Sequence, residues 1–186
     1  MMRFIHLMIL AGATFVSTIA PAQTQWRPYV SRDLGFAFHA PGQPSVERGT
    51  YRADTSGEYP TIVYRTIVNN IEYKVIVADC RNRAAEGASI LEEAAYTFQL
   101  EQNVVTDDYG RVDTVYGRKV TIDLPDNGGR SMASFYFDRG YLFEFVATVL
   151  PANGDYGSPS MSRFIDSHSF AENRVEPDAT ELQLPN

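Results

Sequence analysis

An α+β fold, an antiparallel sheet flanked by helices, is predicted by three features of the sequence. Two β-branched runs, TIVYRTIVNN (61–70) and IEYKVIVADC (71–80), meet at Asn69-Asn70, and asparagine tolerates the left-handed backbone of a tight hairpin turn. The period then changes in ASILEEAAYTFQLEQ (88–102), where Ile90, Ala94 and Phe98 with Leu91 and Ala95 form one apolar stripe at helical spacing. Two more hairpin signals follow, DNGG (126–129) and DRG (138–140), bracketing strand-like runs.

In chain order, WRPYV (26–30) and GFAFHAPGQP (35–44) read as a strand pair joined through SRDLG, with Phe36 and Phe38 on one face and Ala37 and His39 on the other. VERGTYRA (46–53) alternates weakly, and ADTSGE (53–58) reads as a loop. In the run 71–80, Tyr73, Val75 and Val77 share one face and Lys74, Ile76 and Ala78 the other, as in a central strand. The helix over 88–102 is predicted to open on a capping box, Ser89 with Glu92. Residues 103–125 give two strands, and RSMASFYFD (130–138) and YLFEFVATV (141–149) complete a meander. The stretch 135–149 holds six aromatic residues. If Phe135 and Phe137 join the side of Phe143 and Phe145, they make a continuous aromatic floor. Phe164 and Ile165 of a last helix would cover it, and Glu144 would mark the wetter side. PANGDYG (151–157) is a loop. In SPSMSRFIDSHSF (158–170), Ser158 stands as N-cap and Pro159 at the first helical position, with His168 in the last turn. The polar tail, 171–186, lacks periodicity and is predicted to be disordered.

Residues 1–22 read as a cleaved signal peptide: Arg3, an apolar run from Leu7 to Ala20, and small residues Ala20 and Ala22 at the cleavage positions. Residues 23–170 then form one domain, with no membrane span after cleavage and a periplasmic or secreted location. Without the leader, 15 basic residues stand against 23 acidic ones, a net charge of -8. An acidic surface repels phosphate backbones, so nucleic acid is excluded as a partner. The one cysteine, Cys80, cannot form an internal bridge and ends an apolar run, as a buried inert thiol does.

The succession of GFAFHAPGQP, a helix after several strands, YGRKVTIDLPDNGGRSMASFYFDRGYLFEFVATV and SPSMSRFIDSHSF resembles the PsbP/Mog1-type α/β sandwich of many small secreted bacterial proteins. That fold takes its name from the photosystem II extrinsic subunit PsbP and a yeast Ran-binding import factor. The resemblance spans most of residues 26–170. It implies an antiparallel sheet flanked by helices and a binding or assembly role. It brings no catalytic motif with it, and fold alone does not give function.

Chemistry-bearing motifs point nowhere specific. His39 and His168 are too few and too isolated for a metal site. DLPDNG (123–128) lacks the acidic alternation and the closing glutamate of a calcium loop. No G-x-S-x-G elbow or phosphate loop is present. No catalytic residue, metal ligand or cofactor is therefore assigned. The reading is an accessory protein without catalysis that binds a protein partner through sheet-edge strands or the loops 53–60 and 151–157. The alternative is a small apolar-ligand module, its pocket between sheet and helix lined by Tyr73, Tyr96, Phe143 and Phe164. An enzyme would require His39 or His168 in a cleft beside carboxylates.

Overall fold

The computed structural model describes residues 25–55, 57–150, 156–171 and 174–185. The proposed leader, 1–22, and most of the loop 151–157 lie outside the described residues.

Among the described residues, ten strands and two α-helices follow in chain order. β1 (Arg27–Ser31) and β2 (Phe36–Ala40) form a hairpin. β3 (Ser45–Ala53), β4 (Gly57–Val68) and β5 (Ile71–Asp79) follow, and a 3-10 turn, Arg81–Glu86, leads into α1 (Gly87–Gln99). Then come β6 (Asn103–Val112), β7 (Val115–Asp123), β8 (Arg130–Asp138) and β9 (Tyr141–Val149). α2 (Pro159–Ile165) and a short β10 (Thr180–Glu181) close the chain. Seven strands make one antiparallel sheet in the order β3-β4-β5-β9-β8-β7-β6, so β5 is central as its two apolar faces required. The remaining three make a small sheet, β10-β1-β2, in which β10 runs parallel to β1.

The hairpins sit where the turn residues placed them. Asn69 and Asn70 have φ 52° and 56°, Asp126 and Asn127 both 56°, and Arg139 49° before Gly140 at 84°. The supposed loop 53–60 is instead a tight connection, because β3 and β4 pair as far as Ala53 and Gly57.

The inner strands of the large sheet are covered on both faces, whereas its edge strands β3 and β6 are largely exposed. One face meets the small sheet and α2 in a core that includes Phe36, Phe38, Tyr73, Phe143, Phe145 and Phe164. The other meets α1 through Ile90, Leu91, Ala94 and Ala95, against Val120, Ile122, Phe135 and Leu142. The β8–β9 register decides where the aromatic residues go. Phe135 lies opposite Glu144, and Tyr136 opposite Phe143. Phe135 and Phe137 therefore face α1, whereas Tyr136, Phe143 and Phe145 face α2. The single aromatic floor becomes two half-floors on opposite sides, since a one-residue difference in register exchanges the faces. Glu144 consequently lies beneath α1, 8% exposed, rather than on a wet side.

Three further expectations are corrected. Helix α1 begins at Gly87, with no side-chain cap, and Glu92 pairs with Arg118 instead of closing a box with Ser89. Gly87 permits that start, because a Cβ there would lie 2.3 Å from the Phe137 ring. Helix α2 does open with Ser158 before Pro159, but it stops at Ile165. His168 then lies past the helix and is buried, because Ser169 forms a bridge with Ala37 that pulls the chain onto β2. Most of the tail, finally, is placed: residues 174–185 are ordered, and Thr180–Leu182 pair with β1, with Leu182 buried. The leucines two apart in ELQLP supply a strand period within polar composition.

A test of the packing is available at Gly117. A Cβ there would fall 2.3 Å from the carbonyl oxygen of Phe135 and 2.3 Å from the Tyr136 ring. Gly117→Ala is expected to destabilise by about 1–3 kcal/mol, read as a lower urea midpoint, because the obstructing atoms include backbone. An unchanged midpoint would show that Tyr136 can move aside freely.

Candidate functional site

Of the four residues expected to line a ligand pocket, three come together. Tyr73 and Phe164 meet edge to face at 5.3 Å, and Phe143 belongs to the same core. All three are buried in direct packing. Tyr96 does not join them: it projects from α1, across the sheet, and is 60% exposed. The anticipated pocket is therefore filled by its own walls.

A cavity of about 450 Å³ opens instead between the start of α1 and the β6–β7 hairpin. Leu91, Val115 and Phe137 supply its apolar lining, with Tyr109, Tyr116 and Glu92 at its margin. The two tyrosines are the most exposed large hydrophobic residues described, at 74% and 73%. They are nevertheless held in place. The tripeptide Tyr-Gly-Arg occurs twice, at 109–111 and 116–118, and the antiparallel register centres on Gly110 opposite Gly117. Each tyrosine thus faces the arginine of the other copy. The Arg118 guanidinium lies 5.4 Å from the Tyr109 ring centroid, and Arg111 lies 5.8 Å from that of Tyr116, both cation–π contacts. Arg118 is itself anchored by Asp107 at 2.5 Å and by Glu92. Its hydrogen bonds, and then its positive charge, hold the Asp107 carboxyl below the usual range.

β6 pairs only with β7, so its outer edge carries backbone groups without a neighbouring strand, and Val104 and Val105 are exposed along it. The repeated YGR was visible in the sequence. Its meaning depended on a register that pairs tyrosine with arginine, which the sequence reading did not set.

The histidines occupy ordinary structural positions. His39 Nε2 lies 2.7 Å from Glu176 Oε1 at the surface. His168 is stacked on Phe145, ring centroids 4.1 Å apart, and 4.8 Å from Tyr136. Neither of its ring nitrogens has a hydrogen-bond partner, and burial pulls its pKa down to about 3. It is buried among the rings of Tyr136, Phe145 and Phe170. Cys80 is buried, and desolvation pushes its thiol up to about 11, so it is a poor nucleophile. Among the described residues, no group of three His, Cys, Asp or Glu side chains could hold a metal ion.

The chain matches no protein-family model and no curated protein. Its fold is similar to the solution structure of cyanobacterial PsbP (CyanoP) from Synechocystis sp. PCC 6803, with a TM-score of 0.50 and 13% identity, over 84% of this chain and 96% of that one. The PsbP-like fold implied by the order of elements is thereby shown, as is its α+β class of antiparallel strands flanked by helices.

Proposed function

We propose that this chain is an exported accessory protein without catalytic activity, and that it binds a protein partner at the free edge of β6 and the groove beside it. One observation carries this reading. Two tyrosines exposed by nearly three quarters each lie against an arginine guanidinium, on a platform that no part of the described chain covers. Exposed aromatic residues already fixed in one geometry lose little freedom on binding, and tyrosine and arginine are enriched at interface hot spots. The neighbouring edge can add a strand from a partner through main-chain hydrogen bonds. Export rests on the leader-like sequence of residues 1–22.

The test is crosslinking and affinity capture in the source cell, comparing the native chain with a Tyr109→Ala/Tyr116→Ala variant. Truncating a hot-spot residue weakens binding by about 30-fold or more, so a specifically captured protein should disappear from the variant. Equal capture by both would place the interface elsewhere. The groove also has the volume of a small-molecule site, with a mainly apolar lining. A raised melting temperature with an apolar ligand, abolished by Leu91→Arg, would support that second reading.

A further inference from the structure

The C-terminal segment 174–185 occupies a site of its own. β10 pairs with β1 over only Tyr29–Thr180 and Val30–Glu181, extended by the Leu182 amide donating to the Val30 carbonyl at 2.8 Å. Leu182 is buried, Gln183 exposed and Leu184 half-buried, so the strand places alternate side chains into the body of the protein. Arg48 grips the end of the segment, donating from Nε and Nη2 to the Pro185 carbonyl at 3.1 and 2.7 Å. The other latches are surface pairs: Arg32 with Glu181, His39 with Glu176, and Arg174 with the shielded Asp113.

The fit is incomplete. Leu184 stands at the wall of a cavity of about 280 Å³ bounded by Leu34, Ile62, Val77, Tyr141 and Arg48. A leucine leaves that volume partly unused. The segment is thus held by one well-buried leucine, one half-seated leucine, a two-residue ladder extended by the Leu182 amide, the exposed Arg48 fork on Pro185 and mostly exposed ion pairs, and such pairs add little.

We propose that the tail is a built-in occupant of a strand-binding groove, which it blocks until an extended segment of a partner protein displaces it. The seated tail defines what the groove accepts: a strand parallel to β1, with leucine at the first inward position. A larger side chain such as phenylalanine belongs at the second, followed by a carbonyl or carboxylate for Arg48. This groove lies apart from the β6 platform, and the inference is an addition to the partner-binding reading rather than a consequence of it.

Two labelled peptides test it, TELQLP and TELQFP, titrated by fluorescence anisotropy against the full chain and against Leu182→Ser/Leu184→Ser. A tethered tail competes at an effective concentration that reaches the millimolar range, so the native chain should bind both peptides weakly. The variant should bind TELQLP at least tenfold more tightly than the native chain does, and TELQFP more tightly again, while TESQSP should not bind. No gain in the variant would overturn the proposal. So would gel filtration showing the native chain as a dimer that exchanges tails, since the groove would then serve a second copy. Tyr109→Ala/Tyr116→Ala should bind peptide as the native chain does. Failure at the groove and failure at the β6 platform are therefore read separately.

Discussion

Replacing Phe145 by alanine is expected to destabilise the protein by about 3–5 kcal/mol, the range for removing a buried aromatic ring. Phe145 is fully buried in the middle of the α2-side core. Its ring lies within contact range of Phe36 at 6.0 Å, Tyr136 at 6.5 Å, Phe164 at 6.5 Å, Phe170 at 6.4 Å and His168 at 4.1 Å. These neighbours come from β2, β8, α2 and the segment after it. A void there removes a shared support, and elements anchored through the sheet cannot all collapse inward to fill it. Tyr96→Ala is the control: truncating a mostly exposed ring on α1 should change stability by less than about 0.5 kcal/mol. Urea denaturation of both variants gives the comparison. A small loss at Phe145, similar to that at Tyr96, would mean that this core is loosely packed.

That contrast also marks what could be read from the residues alone. The hairpins were legible because their turns need positive φ, and asparagine, aspartate and glycine stand at most of those positions, Arg139 beside Gly140 being the exception. The burial of the ring-rich stretch was legible because leaving so much apolar area in water is unfavourable. The assignment of each ring to a face was not. Alternation shows that Phe135 and Tyr136 point opposite ways, but only the β8–β9 register says which way Phe135 shares with Phe143. Glu144 was misplaced for the same reason. The order of the tail was not legible, because two leucines in a polar segment are a weak signal until β1 offers them an edge. Of the residues expected to line a pocket, Tyr73 and Phe164 meet as packed core, as their apolar character favours, while the helix turns Tyr96 outward. The YGR repeat carries no signal on its own, because a tyrosine-arginine pair forms across strands, not along one.

Between pH 4.5 and 6.5, two buried groups should oppose each other, and single substitutions should expose the conflict. Glu144 ordinarily titrates at 4.5, and desolvation beneath α1 raises it to about 7, with the Tyr51 hydrogen bond and the Lys74 charge working in the opposite direction. A raised acid holds its proton in the folded state after the unfolded chain has lost it. Its contribution is complete below 4.5 and is lost as pH rises to about 7, by up to about 1.4 kcal/mol per pH unit. His168 ordinarily titrates at 6.5 and is lowered to about 3, first by desolvation and then by Lys119. Its contribution is complete above 6.5 and is lost as pH falls toward 3, with a similar slope of about 1.4 kcal/mol per unit. In the native chain the two slopes largely cancel across the shared window. Glu144→Gln keeps a hydrogen-bonding group beside Tyr51 and removes the acid. Its stability should therefore climb by roughly 2–3 kcal/mol from pH 4.5 to 6.5. His168→Phe retains a ring against Phe145 and removes the base, so its stability should fall by a similar amount over the same interval. The double variant should be flat. Urea midpoints at half-unit steps of pH decide the matter, and parallel profiles for all four proteins would show that neither group titrates in the folded interior as its burial requires. Below pH 4 the paired carboxylates Asp79, Asp107 and Asp123, each held below its usual range by arginine, add their own loss of stability. Glu72 and Glu86, each paired with arginine and held below the ordinary 4.5, begin to lose their contribution near that value, so the opposition of the two buried groups is read most clearly above about pH 5.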